Sequence, residues 1–466
     1  MAAPPWTSAF AAADRWAAFW QLWLGRAAGA RAVASARSTR LHDLVAYARR
    51  RSPLYAELYR GLPQAFEALS ELPVTSKPAL MARFDDWATD RDVTRERADR
   101  FLSDRSLVGQ RFLDRYVVWK SSGTSGEPGI YVQDARSLST YDAMLAVQLV
   151  DPGIAARCVA GSARGGRAAL IAATGDHFAS IASWQRVGRW SVASSARGFS
   201  VMEPLDSLVA DLDAFDPAYV ASYPTMLALL AGERRAGRSA MRPSLLWSGG
   251  ECLAPGLHDE LERTFGCPVM NEYGASECLS IGFGCREKWI HVNADWVIVE
   301  PVDRDLRPTA PGATSHTVLV TNLANRVQPL IRYDLGDAVT VLDGRCRCGN
   351  AFPALRVEGR RDEVVVLTER GRVARIAPMA LTTVVEESAG VHRFQIVQRN
   401  ERTLLLRLDV ASPADRQAAF DAAARALGDF LATQGVPRTA ILLDASAPVA
   451  DAGSGKLRQV VVEPNA

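Results

Sequence analysis

The chain has 466 residues, more than one hydrophobic core usually serves, so two or more domains are expected. Hydrophobic residues make up 48% and charged residues 23%, an ordinary globular composition that excludes extended disorder. The formal net charge is only +2 and basic residues are spread along the chain, which excludes the concentrated basic face that nucleic-acid binding needs.

Residues 1–115 read as mainly helical. Trp16, Phe19, Trp20 and Trp23 recur at helical spacing, as do Leu41, Leu44, Val45 and Ala48. The tryptophan stripe suits either a membrane-surface or partner helix, or a helix packed on its own protein, and the second is expected. No stretch has the length and apolarity of a membrane-spanning helix. Asp14 and Arg15 interrupt the aromatic start, unlike a secretory leader. The seven cysteines form no regular framework, so a cytoplasmic chain with reduced or metal-bound thiols is expected.

From Tyr116 the pattern changes. Apolar runs at 116–119, 168–172, 218–221, 245–247 and 317–320 alternate with helical stretches at 137–150, 207–215, 224–235 and 255–265, which argues for α/β layers. A charged, hinge-like segment at 359–363 follows. Beyond it, strands at 363–367, 393–398, 404–410 and 439–443 surround helices at 380–388 and 413–434. The expected organisation is a large α/β domain, 1–358, and a small mobile α+β domain, 359–466.

Five segments carry chemistry. Ser121-Ser122-Gly123-Thr124-Ser125-Gly126-Glu127-Pro128 follows an apolar run. Small hydroxyl residues and glycines let backbone N–H groups wrap a phosphate chain, although a flexible polar linker has the same composition. No Gly-Lys-Ser/Thr follows, so it is not a Walker A loop. Ser248-Gly249-Gly250-Glu251 is a second strand-then-glycine turn. Asn271-Glu272-Tyr273-Gly274-Ala275-Ser276-Glu277 sets a ring, able to stack on a base, before a carboxylate able to hold Mg²⁺. Ile331-Arg332-Tyr333-Asp334-Leu335-Gly336-Asp337 offers carboxylates suited to a ribose diol. Gly453-Ser454-Gly455-Lys456 presents one of only four lysines, the others being Lys77, Lys120 and Lys288.

In this order the segments resemble the adenylate-forming superfamily, within it the phenylacetate–coenzyme A ligase family and its capsule-gene relatives. The resemblance covers nearly the whole chain, including Arg51-Ser52-Pro53-Leu54-Tyr55 and Leu72-Pro73-Val74-Thr75-Ser76-Lys77. It implies an AMP-forming acid–thiol ligase using ATP, Mg²⁺ and coenzyme A. By resemblance, Ser121, Ser122, Gly123, Thr124, Ser125 and Gly126 would hold the phosphates. Gly249, Gly250 and Glu251 would border the adenine and acyl pocket. Tyr273, with Asn271, Glu272, Gly274 and Ala275, would take adenine. Glu277 would bind Mg²⁺, Asp337 the ribose, and Arg360 the nucleotide near the hinge. Asp362 would be the pivot, and Lys456 would reach the carboxylate and α-phosphate. The sequence departs from the pattern at Glu127, where lysine is usual, and at Asp334-Leu335, where Arg-Thr is common.

Cys285, His291, Cys346 and Cys348 make a possible closed zinc set of three thiolates and one imidazole, with reduced thiols on a turn as the alternative. Cys252, Cys267 and Cys278 read as small buried residues. His177, Tyr223, Trp184 and Trp247 either shape an aromatic acid pocket or pack in the core. The substrate expected is an aryl or arylalkyl carboxylic acid. A carrier protein's phosphopantetheine is an alternative acceptor, with Arg49-Arg50-Arg51 or Arg234-Arg235 as docking candidates. A homodimer is the assembly suggested by the resemblance. An inactive zinc-stabilised scaffold is the reading from another class, and the presence of both Glu277 and Lys456 argues against it.

Overall fold

The computed structural model describes residues 5–63, 66–121, 128–173, 177–181, 195–358, 364–391, 393–410, 412–449 and 457–463. The chain forms two compact units, one of residues 1–120, 130–156 and 271–358, the other of residues 121–129, 157–270 and 359–466. A unit boundary therefore falls at 358/359, while the first 358 residues are themselves divided between the two units.

The first unit opens with helices Pro5–Ala27 and Ala30–Arg51, separated at Gly29, whose φ of 89° is left-handed backbone that favours glycine. Phe19 and Leu22 are buried, but Trp16, Trp20, Trp23 and Leu24 are exposed. The stripe thus does not pack as a whole on its own protein. It splits because only one edge of the helix meets the body. Helix Pro53–Leu58 starts with proline at its first position and the Ser52 hydroxyl accepting the Tyr55 N–H.

Two sheets complete this unit, apart from the short hairpin Val117–Lys120/Ile130–Gln133. Strands Val297–Val302, Thr317–Asn322 and Leu330–Asp334 form an antiparallel sheet whose central strand is buried throughout. Strands Gly282–Gly284, Ile290–Val292, Ala354–Val357 and Val339–Val341 form an antiparallel ladder that continues from Glu272 and Tyr273.

The helical start is fastened to the 329–334 segment. The Tyr55 hydroxyl and the Trp87 indole both donate to the Pro329 carbonyl, at 3.0 and 2.7 Å. Thr75 N–H donates to the Arg332 carbonyl at 3.0 Å, and Asp334 N–H to the Thr75 carbonyl at 2.8 Å. Arg332 is buried with φ at +48°, its guanidinium 3.2 Å from Glu300 and donating to the Ser70 and Leu72 carbonyls. Burial pushes the Glu300 carboxyl up, and the Arg332 hydrogen bond opposes that shift.

The second unit contains the parallel strands Ser195–Ser200, Arg167–Ala172, Tyr219–Ser222 and Leu245–Ser248, in that spatial order. Helices Leu205–Phe215, Pro224–Arg235 and Pro255–Phe265 follow successive strands. Arg167–Ala172, Tyr219–Ser222 and Leu245–Ser248 are largely buried, as the inner strands of a sheet covered on both faces require, whereas the edge strand Ser195–Ser200 is mostly exposed. Its C-terminal part has the hairpin Val365–Glu369/Arg372–Ile376 and a four-stranded sheet ordered Ala440–Asp444, Thr403–Leu408, Phe394–Asn400, Val460–Val462. Helices Pro378–Ala389 and Pro413–Thr433 pack on each other and share its core. The expected α/β organisation with a C-terminal α+β portion is what the structure has. Strands Ser195–Ser200, Arg372–Ile376 and Val460–Val462 were not among the predicted elements.

Arg332→Met leaves Glu300 without its partner, so a loss of about 3 kcal/mol in a urea titration is expected. Adding Glu300→Gln should recover part of that loss, because no unpaired half-buried charge then remains.

Candidate functional site

In the first unit, the residues singled out around Tyr273 converge with Asp337. Strand Val269–Tyr273 ends in a tight turn closed by reciprocal backbone bonds between Ala275 and Cys278, at 2.9 and 3.0 Å. A Cβ on Gly274 would lie 1.9 Å from the Leu279 carbonyl oxygen, so only glycine fits there. The Trp119 indole donates to the Ser276 carbonyl at 2.8 Å, fixing the turn from the neighbouring hairpin. The Tyr273 hydroxyl donates to Asp337 Oδ2 at 2.8 Å. Burial first, then the Asp337 charge, raises the Tyr273 phenol well above its ordinary value, so it stays a donor. Asn271 and Glu272 are half-buried on the same strand.

Glu277 is half-buried at the end of this turn. Its Oε1 accepts from the Tyr131 hydroxyl at 2.7 Å and from the Tyr333 hydroxyl at 2.9 Å. Burial and the Glu277 charge raise both phenols, which keeps them protonated. Neither tyrosine was assigned a role from the sequence. Tyr333 lay inside a recognised motif, whereas Tyr131 had only its position after the glycine-rich loop as a signal.

The Asp334 and Asp337 carboxylates have separate tasks. Asp334 Oδ1 accepts from the Thr317 hydroxyl at 2.6 Å and from Gly336 N–H at 3.0 Å, so it closes its own turn. Asp337 is the carboxylate that meets Tyr273.

Cys285, His291, Cys346 and Cys348 come together in this unit, their ligand atoms all within 4.8 Å of one another. Thiolates bound tetrahedrally at about 2.3 Å from zinc stand about 3.8 Å apart. The Cys285 and Cys346 sulfurs are 3.8 Å apart, and Cys348 Sγ is 3.1 Å from His291 Nε2. His291 Nδ1 lies 2.9 Å from the Phe352 carbonyl, which assigns the proton to Nδ1 and leaves Nε2 a lone pair for a metal. Burial, together with the neighbouring Cys346 and Cys285 thiols, raises the Cys348 thiol. Crowded thiols of this kind lose their protons when a dication is among them.

In the second unit, Gly250 has φ of 80° and a Cβ there would sit 3.0 Å from the Tyr223 ring. Glu251 accepts from both the N–H and the hydroxyl of Thr225, at 3.1 and 3.0 Å, so it caps helix Pro224–Arg235 and holds the glycine turn to it. Tyr223 is pushed up to about 12 by burial, and its hydroxyl lies 3.5 Å from the Ala173 N–H. Trp247 is half-buried and His177 is buried. Ser121 and Gly129 exchange bonds, backbone N–H to carbonyl and N–H to hydroxyl, both at 2.9 Å. They close the stem of the glycine-rich loop. Ser122, Gly123, Thr124, Ser125, Gly126, Trp184, Arg360, Asp362 and Lys456 lie outside the described residues. Cys267 and Cys278 are buried as expected, whereas Cys252 is half-exposed in the loop before helix Pro255–Phe265.

No protein-family model matches the chain. Protein CapK of Staphylococcus aureus is 22% identical over 225 residues, 46% of this chain and 46% of CapK. The match thus spans about half the length of that relative. Among solved structures, 2-hydroxyisobutyryl-CoA ligase bound to 2-HIB-AMP and CoA in the thioesterification state aligns with a TM-score of 0.55 and 21% identity, covering 92% of this chain and 89% of that one. Its open conformation gives a TM-score of 0.52 at 20% identity, covering 92% and 90%. The chain has the fold of this acyl-CoA ligase.

Gly274→Ala is expected to cost about 1–3 kcal/mol in chemical denaturation, because the Leu279 backbone must move. Gly256→Ala, with nothing within 4 Å, is the matched control and should be neutral or slightly stabilising.

Proposed function

We propose that the chain is an AMP-forming acid–thiol ligase, in which a carboxylate attacks the α-phosphate of ATP to give an acyl-adenylate with release of pyrophosphate, and a thiol then takes the acyl group with release of AMP. The observation that carries this reading is the hydrogen bond between Tyr273 and Asp337 beside the Glu277 turn. On this reading Tyr273 would take adenine, Asp337 the ribose diol and Glu277 a hard cation, all three within one structural unit. The fold shared with the acyl-CoA ligase supports the same reading.

In the proposed reaction, Ser121 and the loop Ser122–Gly126 bind the phosphates, and Gly249 and Gly250 leave room for the nucleotide. Glu277 fits Mg²⁺, since among the described residues its Oε2 receives no hydrogen bond and a carboxylate oxygen suits a hard ion. When bound, Mg²⁺ would neutralise phosphate charge. Lys456 and Arg360 supply further positive charge as two anions are brought together. Asp362 would serve as the pivot on which 359–466, the proposed mobile domain, removes Lys456 before the thiol enters. An aryl or arylalkyl acid is proposed from the aromatic residues Tyr223, Trp184 and Trp247, with His177 nearby in sequence to the first strand of the sheet.

Coenzyme A is the proposed acceptor. Of the arginines considered for docking a carrier protein, Arg49 donates to the Tyr59 and Leu62 carbonyls, Arg234 to the Ser239 carbonyl, and Arg235 pairs with Glu260. These three groups are engaged within the protein, whereas Arg50 and Arg51 are exposed.

The test is acid-dependent exchange of labelled pyrophosphate into ATP across aryl, arylalkyl and fatty acids. Exchange with one acid class, reduced at least about 100-fold in Lys456→Ala, is the expected result. Absence of both exchange and ATP binding would sink the ligase reading.

The four-residue cluster is proposed to hold a structural zinc that fastens the 285–291 hairpin to the 346–348 turn. Metal analysis of purified protein should give about one zinc per chain, four ligands serving one ion. Cys346→Ser should lose the metal and lower the thermal midpoint. Metal-free wild type of unchanged stability would refute the assignment.

A further inference from the structure

Two buried phenols converge on one oxygen of Glu277. Tyr131 Oη lies 2.7 Å and Tyr333 Oη 2.9 Å from Oε1, and the two hydroxyls are 3.3 Å from each other. Each phenol has one proton to give. With both protons directed to Oε1, that oxygen is occupied and the carboxylate plane is fixed. We propose that Tyr131 and Tyr333 are positioning residues that lock Glu277 so that Oε2 alone is offered to the divalent cation carried by ATP, an inference that rests on the ligase reading above.

Neither phenol can readily swing away. Tyr131 is 1% exposed, lies on strand Ile130–Gln133 and meets the Trp87 ring edge-on at 6.4 Å. Tyr333 is 2% exposed on strand Leu330–Asp334, where it pairs with Val320 on one side and bridges Thr75 on the other. The carboxylate reaches them from a turn closed at both ends by Ala275 and Cys278. A glutamate side chain is costly to order, and fixing it before the cation arrives removes that cost from binding. A single tyrosine would still let the carboxylate rotate about the bond to its donor. Two donors from different strands remove that freedom. A carboxylate with one open oxygen binds through that oxygen only, which suits an octahedral ion that keeps several waters.

The test uses the full chain, with Mn²⁺ as the spectroscopic stand-in for Mg²⁺. Mn²⁺ binding in the presence of ATP is followed by electron paramagnetic resonance, and AMP binding without metal by calorimetry. Tyr131→Phe and Tyr333→Phe should each weaken Mn²⁺ binding about tenfold, while AMP affinity stays within about twofold. Glu277→Gln should weaken Mn²⁺ at least as much. If Glu277→Gln does so but both phenylalanine variants bind Mn²⁺ like wild type, the positioning role is overturned and the ligase reading stands. If Glu277→Gln leaves Mn²⁺ binding unchanged, the assignment of Glu277 itself fails. Equal loss of AMP and Mn²⁺ binding in both phenylalanine variants would show a general structural role and overturn the proposal.

Discussion

A carboxylate drawn partly out of water must be given hydrogen bonds, and at Glu277 those bonds come from two phenols on strands far apart in the chain. Much of the surrounding unit can be understood as what holds those phenols still. Tyr333 belongs to a strand fixed by Thr75 on one side and by the sheet on the other. Next to it the buried Arg332 ties that strand to Glu300 and to the 70–72 carbonyls, with its backbone in a left-handed conformation. Tyr55 and Trp87 close on Pro329 from the helical start. The N-terminal helices are therefore part of the support of the site, and their contacts with the strand are directional hydrogen bonds as well as apolar packing.

The same economy governs the other carboxylates of the candidate site. Asp334 and Asp337 are three positions apart, yet one closes a turn with Thr317 and Gly336 while the other meets Tyr273. In the second unit, Glu251 is drawn to the start of a helix, where a negative charge and two acceptor oxygens are favourable. A carboxylate near a glycine turn is thus not by itself a ligand. Its hydrogen-bond partners decide whether it is available.

The cysteine–histidine cluster sits downstream of both site segments. The chain passes from the Glu277 turn into strand Gly282–Gly284 and then Cys285, and from Asp337 into strand Val339–Val341 and then Cys346. A zinc ion there would join the far ends of the two segments that carry Tyr273, Glu277 and Asp337. Such a link would constrain the antiparallel ladder where its strands are only three or four residues long and weakly held by their own bonds.

Local patterns in the sequence determined the strand–helix alternation, the helix limits at 224–235 and 255–265, the glycine turns and the members of the cysteine–histidine cluster. Each follows from hydrophobic period, from proline and glycine at fixed places, or from residue chemistry that few other roles use. Tertiary structure alone decided which edge of the tryptophan helix is buried, since periodicity marks a face without saying what meets it. It also decided that Asp337, and not Asp334, faces Tyr273, because a side chain's partner across 64 residues is set by how the folded chain brings two segments together. Tyr131 shows the limit most plainly. A tyrosine on a buried strand has the pattern of a core residue, and only the folded chain brings its hydroxyl to a carboxylate 146 positions away.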